Sequence, residues 1–250
     1  MTERPAVTID NLSRHFDSFK AVDGISLEVT SGETFGFLGA NGAGKTTTIR
    51  MLCGLLAPTS GSGTVAGFDI YRQAEEIKKS IGYMSQKFSL YPDLTGKENL
   101  SFYGAAYGMN GSSIASRTEE LAERLDLHDF IDRPTRSLPV GWRQRLALGV
   151  SLLHRPRILF LDEPTSGVDP VFRRKFWKIL YELAEEGVTV FVTTHYMDEA
   201  EYCGRISIMH QGKIVEVGQP FELIQKHRAE NLEELFINLI NGREAANAEA

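Results

Sequence analysis

The sequence predicts an α/β fold: a core of buried strands and helices, an antiparallel β subdomain on the amino-terminal side, and a helical subdomain inserted at about residues 87–155. Three patterns predict it. Residues 34–38, 157–161 and 189–193 are short apolar or β-branched runs, each followed by a helical stretch, as the buried strands of such a core are. Residues 7–12 and 25–29 instead alternate apolar and polar side chains, the mark of half-buried antiparallel strands. Helical patterns then dominate the middle of the chain, between segments that mix strands and helices.

Size and composition agree with that class. A chain of 250 residues buries a substantial core without disulfides or metals. With 33 acidic and 27 basic residues the net charge is −6, and 42% of residues are hydrophobic, which excludes a disordered or collagen-like chain. An acidic balance also disfavours a broad nucleic-acid surface, so no nucleic-acid partner is expected. The only cysteines, Cys53 and Cys203, have no metal-ligand spacing and read as core residues of a reduced, cytosolic protein. No apolar run approaches the roughly 18 residues of a membrane helix, and no signal-peptide core follows Met1.

In chain order, the strand at 34–38 leads into a glycine-rich loop and a helix over about 45–56, stopped by Pro58. Residues 60–70 form a hairpin or loop, 74–80 a helix and 81–84 a short strand. Amphipathic helices follow at 94–108 and 114–127, separated by Gly108-Met109-Asn110-Gly111, and a third helix spans 141–154 before Pro156. The core resumes with the strand at 157–161, a helix at 170–186, the strand at 189–193 and a short helix at 197–202. Strands at 205–209 and 213–217 flank the turn pair Gln211-Gly212. Helices at 220–227 and 231–240 close a single domain over 1–241, and 242–250 reads as a frayed, flexible tail.

Two motifs carry chemistry. Gly39-Ala40-Asn41-Gly42-Ala43-Gly44-Lys45-Thr46 fits GxxxxGK[ST] between an apolar strand and a helix, the context the phosphate-binding loop requires. Its glycines let backbone N–H groups wrap polyphosphate oxygens, the helix N-terminus adds its positive end, Lys45 reaches the β/γ-phosphates, and the Thr46 hydroxyl is a Mg²⁺ ligand. Residues 158–161 then deliver Asp162-Glu163 to a strand's carboxyl end, where open α/β sheets bind ligands. Asp162 is expected to hold hydrated Mg²⁺, and Glu163 to orient or deprotonate the water attacking the γ-phosphate.

With both motifs placed, residues 5–240 resemble the ATP-binding subunit of an ABC transporter, a P-loop NTPase with a RecA-like core. The resemblance implies further roles. Gln86 matches the Q-loop glutamine that touches Mg²⁺ or water, and His195 the switch histidine that contacts the γ-phosphate. Thr47 extends the ATP-binding loop. Phe16 resembles the aromatic that stacks on adenine, with Phe19 a nearby competitor. Ser166-Gly167-Val168-Asp169 resembles the D-loop, with Asp169 coupling the halves of a dimer. The family signature LSGGQ is here Leu138-Pro139-Val140-Gly141-Trp142, so Pro139 replaces the serine whose hydroxyl meets the partner subunit's γ-phosphate. Proline supplies neither hydroxyl nor N–H, yet suits a helix's first turn, and Gly141 keeps close backbone approach.

Residues 162–170 and 194–201, with Leu232-Glu233-Glu234-Leu235-Phe236, resemble the daunorubicin-resistance type of multidrug exporter. Residues 138–148 resemble the second ATPase half of tandem versions. The resemblance implies ATP as substrate, Mg²⁺ as cofactor, a second ATPase subunit (identical or not) and a separate membrane-spanning permease, with the chain on the inner face of the cell membrane. The permease is expected to dock near residues 88–94, where Phe88, Leu90 and Tyr91 read as exposed. The competing readings are a repair- or translation-related ATPase of the same fold and, from Pro139 alone, a degenerate regulatory module.

Overall fold

A computed structural model describes residues 5–86 and 90–248, with side chains through 242. Two sheets organise it. Strands β1 (Val7–Phe16), β2 (Phe19–Val29), β4 (Ser60–Val65) and β5 (Phe68–Asp69) form an antiparallel sheet in the order β2-β1-β4-β5. Strands β3 (Thr34–Leu38), β6 (Ile81–Met84), β7 (Ile158–Asp162), β8 (Thr189–Thr194), β9 (Arg205–His210) and β10 (Lys213–Gly218) form the second, in the order β10-β9-β3-β8-β7-β6. All neighbours in this sheet are parallel except the β9–β10 hairpin.

The parallel register positions the site. Leu38 pairs with Thr194, and Asp162 with Thr193, so the carboxyl ends of β3, β8 and β7 lie side by side. Each of these strands is buried along its whole length, which explains why they read as unbroken apolar runs. Helix α1 (Lys45–Leu52) follows β3, and α2 (Ala74–Ser80) precedes β6. The inserted helices α3 (Gly96–Ala106), α4 (Gly111–Arg124) and α5 (Val140–Leu152) come between β6 and β7. Thr95 and Glu98 close a capping box on α3, and the Asn110 side chain caps α4 by accepting the Ser113 N–H. Beyond β7 come α6 (Pro170–Glu185), α7 (Met197–Ala200), α8 (Pro220–His227) and α9 (Leu232–Ala248).

One apolar cluster runs from Leu100 and Leu121 in the insert, through Leu146 and Leu148 of α5, to Leu161 and Val192 of the sheet. The insert therefore shares its core with the sheet. A second cluster joins the antiparallel sheet and α1 to the other face, around Phe35, Phe37, Phe160 and Phe191. Both cysteines are buried free thiols.

The structure revises the sequence reading at its edges. Strands β1 and β2 run to a tight hairpin at Phe16 and Phe19, beyond the alternating segments, because their outer residues face solvent and lose the apolar signal. Helix α9 continues to Ala248, through most of the residues read as a tail. Ala245, Ala246 and Ala248, with Arg243 and Glu244, are strong helix formers without any apolar periodicity.

Candidate functional site

The loop between β3 and α1 is shaped by glycines whose side chains have no room. A Cβ on Gly39 would sit 2.6 Å from the Met209 carbonyl oxygen. Gly44, the N-cap of α1, has φ +107°, and a Cβ there would sit 2.6 Å from the Ala21 oxygen. The Gly39 N–H bonds the Thr194 carbonyl at 3.3 Å, and the Ala43 carbonyl accepts the Gly212 N–H at 3.0 Å, so the loop is anchored at both ends. The amides of Lys45, Thr46 and Thr47 open the helix and have no intrahelical acceptor. Together with Asn41, Gly42, Ala43, Gly44, Phe19, Ala21, Gln86 and Glu163, these three residues line a cavity of about 270 Å³. A concave row of amides at a helix N-terminus is an anion site. Gly39 and Ala40 stand behind it, their carbonyls accepting from Lys45 Nζ at 2.6 and 3.1 Å.

Across the cavity the sheet presents its carboxylates. Asp162 is 1% exposed. Its Oδ1 accepts from Thr46 Oγ1 at 3.0 Å and from Thr193 Oγ1 at 2.6 Å. Burial pushes the Asp162 carboxyl above its usual range, while the two hydroxyls pull it back. Glu163 leaves the strand with φ +49°, a left-handed conformation that turns its side chain toward the loop's companions. Lys45 Nζ is 3.8 Å and His195 Nδ1 3.3 Å from Glu163 Oε1, and Gln86 Nε2 donates to Oε2 at 3.0 Å. Burial pushes the Lys45 ammonium down, opposed by the charges of Glu163 and Asp162.

Residues read separately along the sequence are thus brought together: the loop, Gln86 after β6, Asp162-Glu163 after β7 and His195 after β8. Gln86 bonds the Glu163 carboxylate, whereas Asp162 takes its hydroxyl donors from Thr46 and Thr193. Of the two aromatic candidates, Phe19 walls the cavity, and Phe16 stands beside it at the hairpin with the Arg14 guanidinium over its ring at 4.5 Å. Both rings therefore stand at the hairpin next to the loop, where an adenine-stacking aromatic is expected. Phe88 lies outside the described residues. Leu90 packs against the core, while Tyr91 is 44% exposed and meets Phe102 edge-on.

Pro139 is exposed at the N-cap of α5, and Val140 begins the helix. Gly141 is required internally, since a Cβ there would lie 2.7 Å from the Phe172 ring. Trp142 stacks on Phe130 at 4.1 Å and meets Phe172 edge-on, with Arg145 over both Trp142 and Phe172. Asp169 caps α6, accepting the Val171 and Phe172 N–H groups.

Sequence reasoning missed Thr193. It lies in a β-branched strand, where a threonine signals strand formation and nothing more. Its hydroxyl donates to Asp162 and accepts the Glu163 N–H at 3.0 Å, joining both carboxylate residues. The available signal was its place at a strand end, two residues before His195.

The comparisons accord with this geometry. The family described as ABC transporter matches residues 22–166. The chain is 46% identical over 235 residues to the probable multidrug ABC transporter ATP-binding protein YbhF of Escherichia coli strain K12, covering 92% of this chain and 41% of that protein. It therefore spans about two fifths of that relative's length. It is 39% identical over 219 residues to the daunorubicin resistance ATP-binding protein DrrA3 of Streptomyces coeruleorubidus, covering 87% and 69%. A dimeric ATP-binding cassette solved in a post-hydrolysis state with ADP and Pi superposes with a TM-score of 0.79 at 26% identity, covering 85% of this chain and 98% of that one.

Proposed function

The chain belongs to the ABC transporter family, and on that premise we propose that it binds ATP with Mg²⁺ and hydrolyses it to drive export through a separate membrane-spanning permease. The observation that carries this reading is the convergence of Lys45, Gln86 and His195 on the Glu163 carboxylate at the mouth of the phosphate loop. The amides from Asn41 to Thr47 and the Lys45 ammonium bind the phosphates. Glu163 accepts a proton from the attacking water as the bond between the γ-phosphate and the leaving ADP breaks. Gln86 and His195 orient Glu163 and the γ-phosphate between them.

The donor set suits Mg²⁺: a buried carboxylate beside a hydroxyl, hard oxygens both, with few protein ligands and room for phosphate oxygens and water. Asp162 and Thr46 would hold the ion, with the Gln86 amide oxygen as a further ligand. Bound there, it supplies charge that neutralises the phosphate oxygens.

A second ATPase subunit completes the site. The dimeric cassette with ADP and Pi supports that arrangement, and Asp169 and the exposed start of α5 are the surfaces that meet it. From residues 139–142 the partner's phosphate receives helix N-terminal amides and no serine hydroxyl. Nucleotide binds the closed pair better than the open one, so hydrolysis reopens it. Among the described residues no helix is long and apolar enough to cross a membrane. A separate permease supplies the path for cargo. The chain then sits on the inner face of the cell membrane, with Tyr91 and Phe102 near the docking point. The drug-resistance names of the relatives support drugs or small amphiphiles as cargo.

Calorimetry with Mg-ATP and turnover assays test the reading. Lys45→Ala is expected to abolish detectable binding, and Glu163→Gln to keep binding while lowering turnover by about 10²-fold or more. Unchanged affinity in the first or surviving turnover in the second refutes the assignment.

A further inference from the structure

A second carboxylate lies wholly inside the protein. Glu199, on α7, is 1% exposed. Thr165 Oγ1 donates to its Oε1, Thr194 Oγ1 donates to its Oε2 at 2.6 Å, and Arg173 Nε lies 3.2 Å from Oε1. Burial pushes this carboxyl up, while the two hydroxyls and Arg173 pull it down. A buried ion with such partners is weak evidence for stability, since desolvation offsets most of the attraction. Its contribution is to be sought in geometry.

The partners occupy telling positions. Thr165 lies two residues past Glu163, and Thr194 immediately precedes His195. Arg173 stands in the first turn of α6, which Asp169 caps. The same guanidinium covers the Tyr196 ring at 4.5 Å, and that ring lies 4.1 Å from His195. Thr194 Oγ1 also accepts the Tyr196 N–H at 2.9 Å, and its carbonyl accepts the Gly39 N–H. Glu163 itself has a left-handed backbone that its surroundings must hold in place.

We propose that Glu199 is a positioning residue for ATP hydrolysis: by tying Thr165 to Thr194 it sets the 3.3 Å approach of His195 Nδ1 to Glu163. The inference rests on the ATPase reading above. Both threonine hydroxyls donate to the carboxylate. A glutamine offers one oxygen and turns an NH₂ toward the other hydroxyl, and Arg173 keeps only Asp198, at 2.9 Å, as a counter-charge. The phosphate cradle is built from other residues, so nucleotide binding is spared while the hydrolytic pair loses alignment.

The test uses the full chain, a fluorescent ATP analogue for affinity, ATP turnover at saturation and a thermal melt. Glu199→Gln is expected to bind within about threefold of wild type and to turn over at least about tenfold more slowly. Thr194→Val, which removes one hydroxyl from the tie, is expected to show the same split, and Glu199→Asp, which keeps the charge, to stand between. A merely structural glutamate would lower melting temperature, affinity and turnover together; that result overturns the proposal, as does turnover within about twofold of wild type. If Glu199→Gln does not fold, Thr194→Val decides alone. A wild-type chain that neither binds nor hydrolyses ATP overturns the functional reading and this proposal with it. Wild-type hydrolysis with unaffected variants overturns this proposal alone.

Discussion

Replacing Thr193 by valine removes a hydroxyl and almost no volume, at a side chain with no exposure. The hydroxyl donates to Asp162 Oδ1 at 2.6 Å, a charge-assisted bond worth about 1.5–3 kcal/mol. It also accepts the Glu163 N–H, worth about 1 kcal/mol, but that amide keeps the Thr193 carbonyl at 3.2 Å and the loss is partial. Asp162 retains Thr46 Oγ1 at 3.0 Å. The expected destabilisation near neutral pH is therefore about 2–3 kcal/mol. Its pH dependence has a definite sign. Asp162 already titrates above its usual 3.8 in the folded protein, and losing the Thr193 bond raises it further. A raised carboxyl contributes stability below its unfolded value and loses it as pH rises through the folded value. The variant's deficit should accordingly be smaller near pH 4 than near pH 8. Urea denaturation followed by circular dichroism, at both pH values, measures it. A deficit under about 0.5 kcal/mol near pH 8, or one that shrinks as pH rises, refutes the reasoning.

Gly141→Ala should destabilise by about 1–3 kcal/mol through overlap with the Phe172 ring, and Phe172→Leu in the same chain should recover most of the loss in a denaturation cycle. Without rescue, the glycine is needed for some other reason. Pro139→Ser places a hydroxyl at the N-cap of α5 and should raise the turnover of a self-paired chain several-fold in a phosphate-release assay; no change favours either a non-identical partner or a site tuned by other contacts. His154 stacks on Tyr107 and bonds the Ile81 carbonyl, and burial holds its imidazole below the usual 6.5. A depressed histidine favours folding above its unfolded value and loses that contribution as pH falls, so His154→Gln should flatten the fall in melting temperature below about pH 6.5.

The amino-acid sequence alone determined the parts whose chemistry is contiguous. Residues 39–46 announce a phosphate cradle because one loop must supply every amide, and the buried strands announce themselves because both faces are covered. Asp162-Glu163 was legible by the same logic, as polar residues at the end of an apolar strand. Tertiary structure decided what holds those groups in place. Thr193 reaches Asp162 across 31 residues and Thr165 reaches Glu199 across 34, through the parallel register of β7 beside β8 and the return of α7 beneath it. Phe172 imposes glycine at position 141 only because α6 lies against α5, and Phe16 and Phe19 stand beside the cavity only because the β1–β2 hairpin brings them there. A hydroxyl in a strand or an aromatic ring on a helix has the same local propensity with or without such a partner. Its role arises when packing brings the partner to it, and packing is a property of the whole chain.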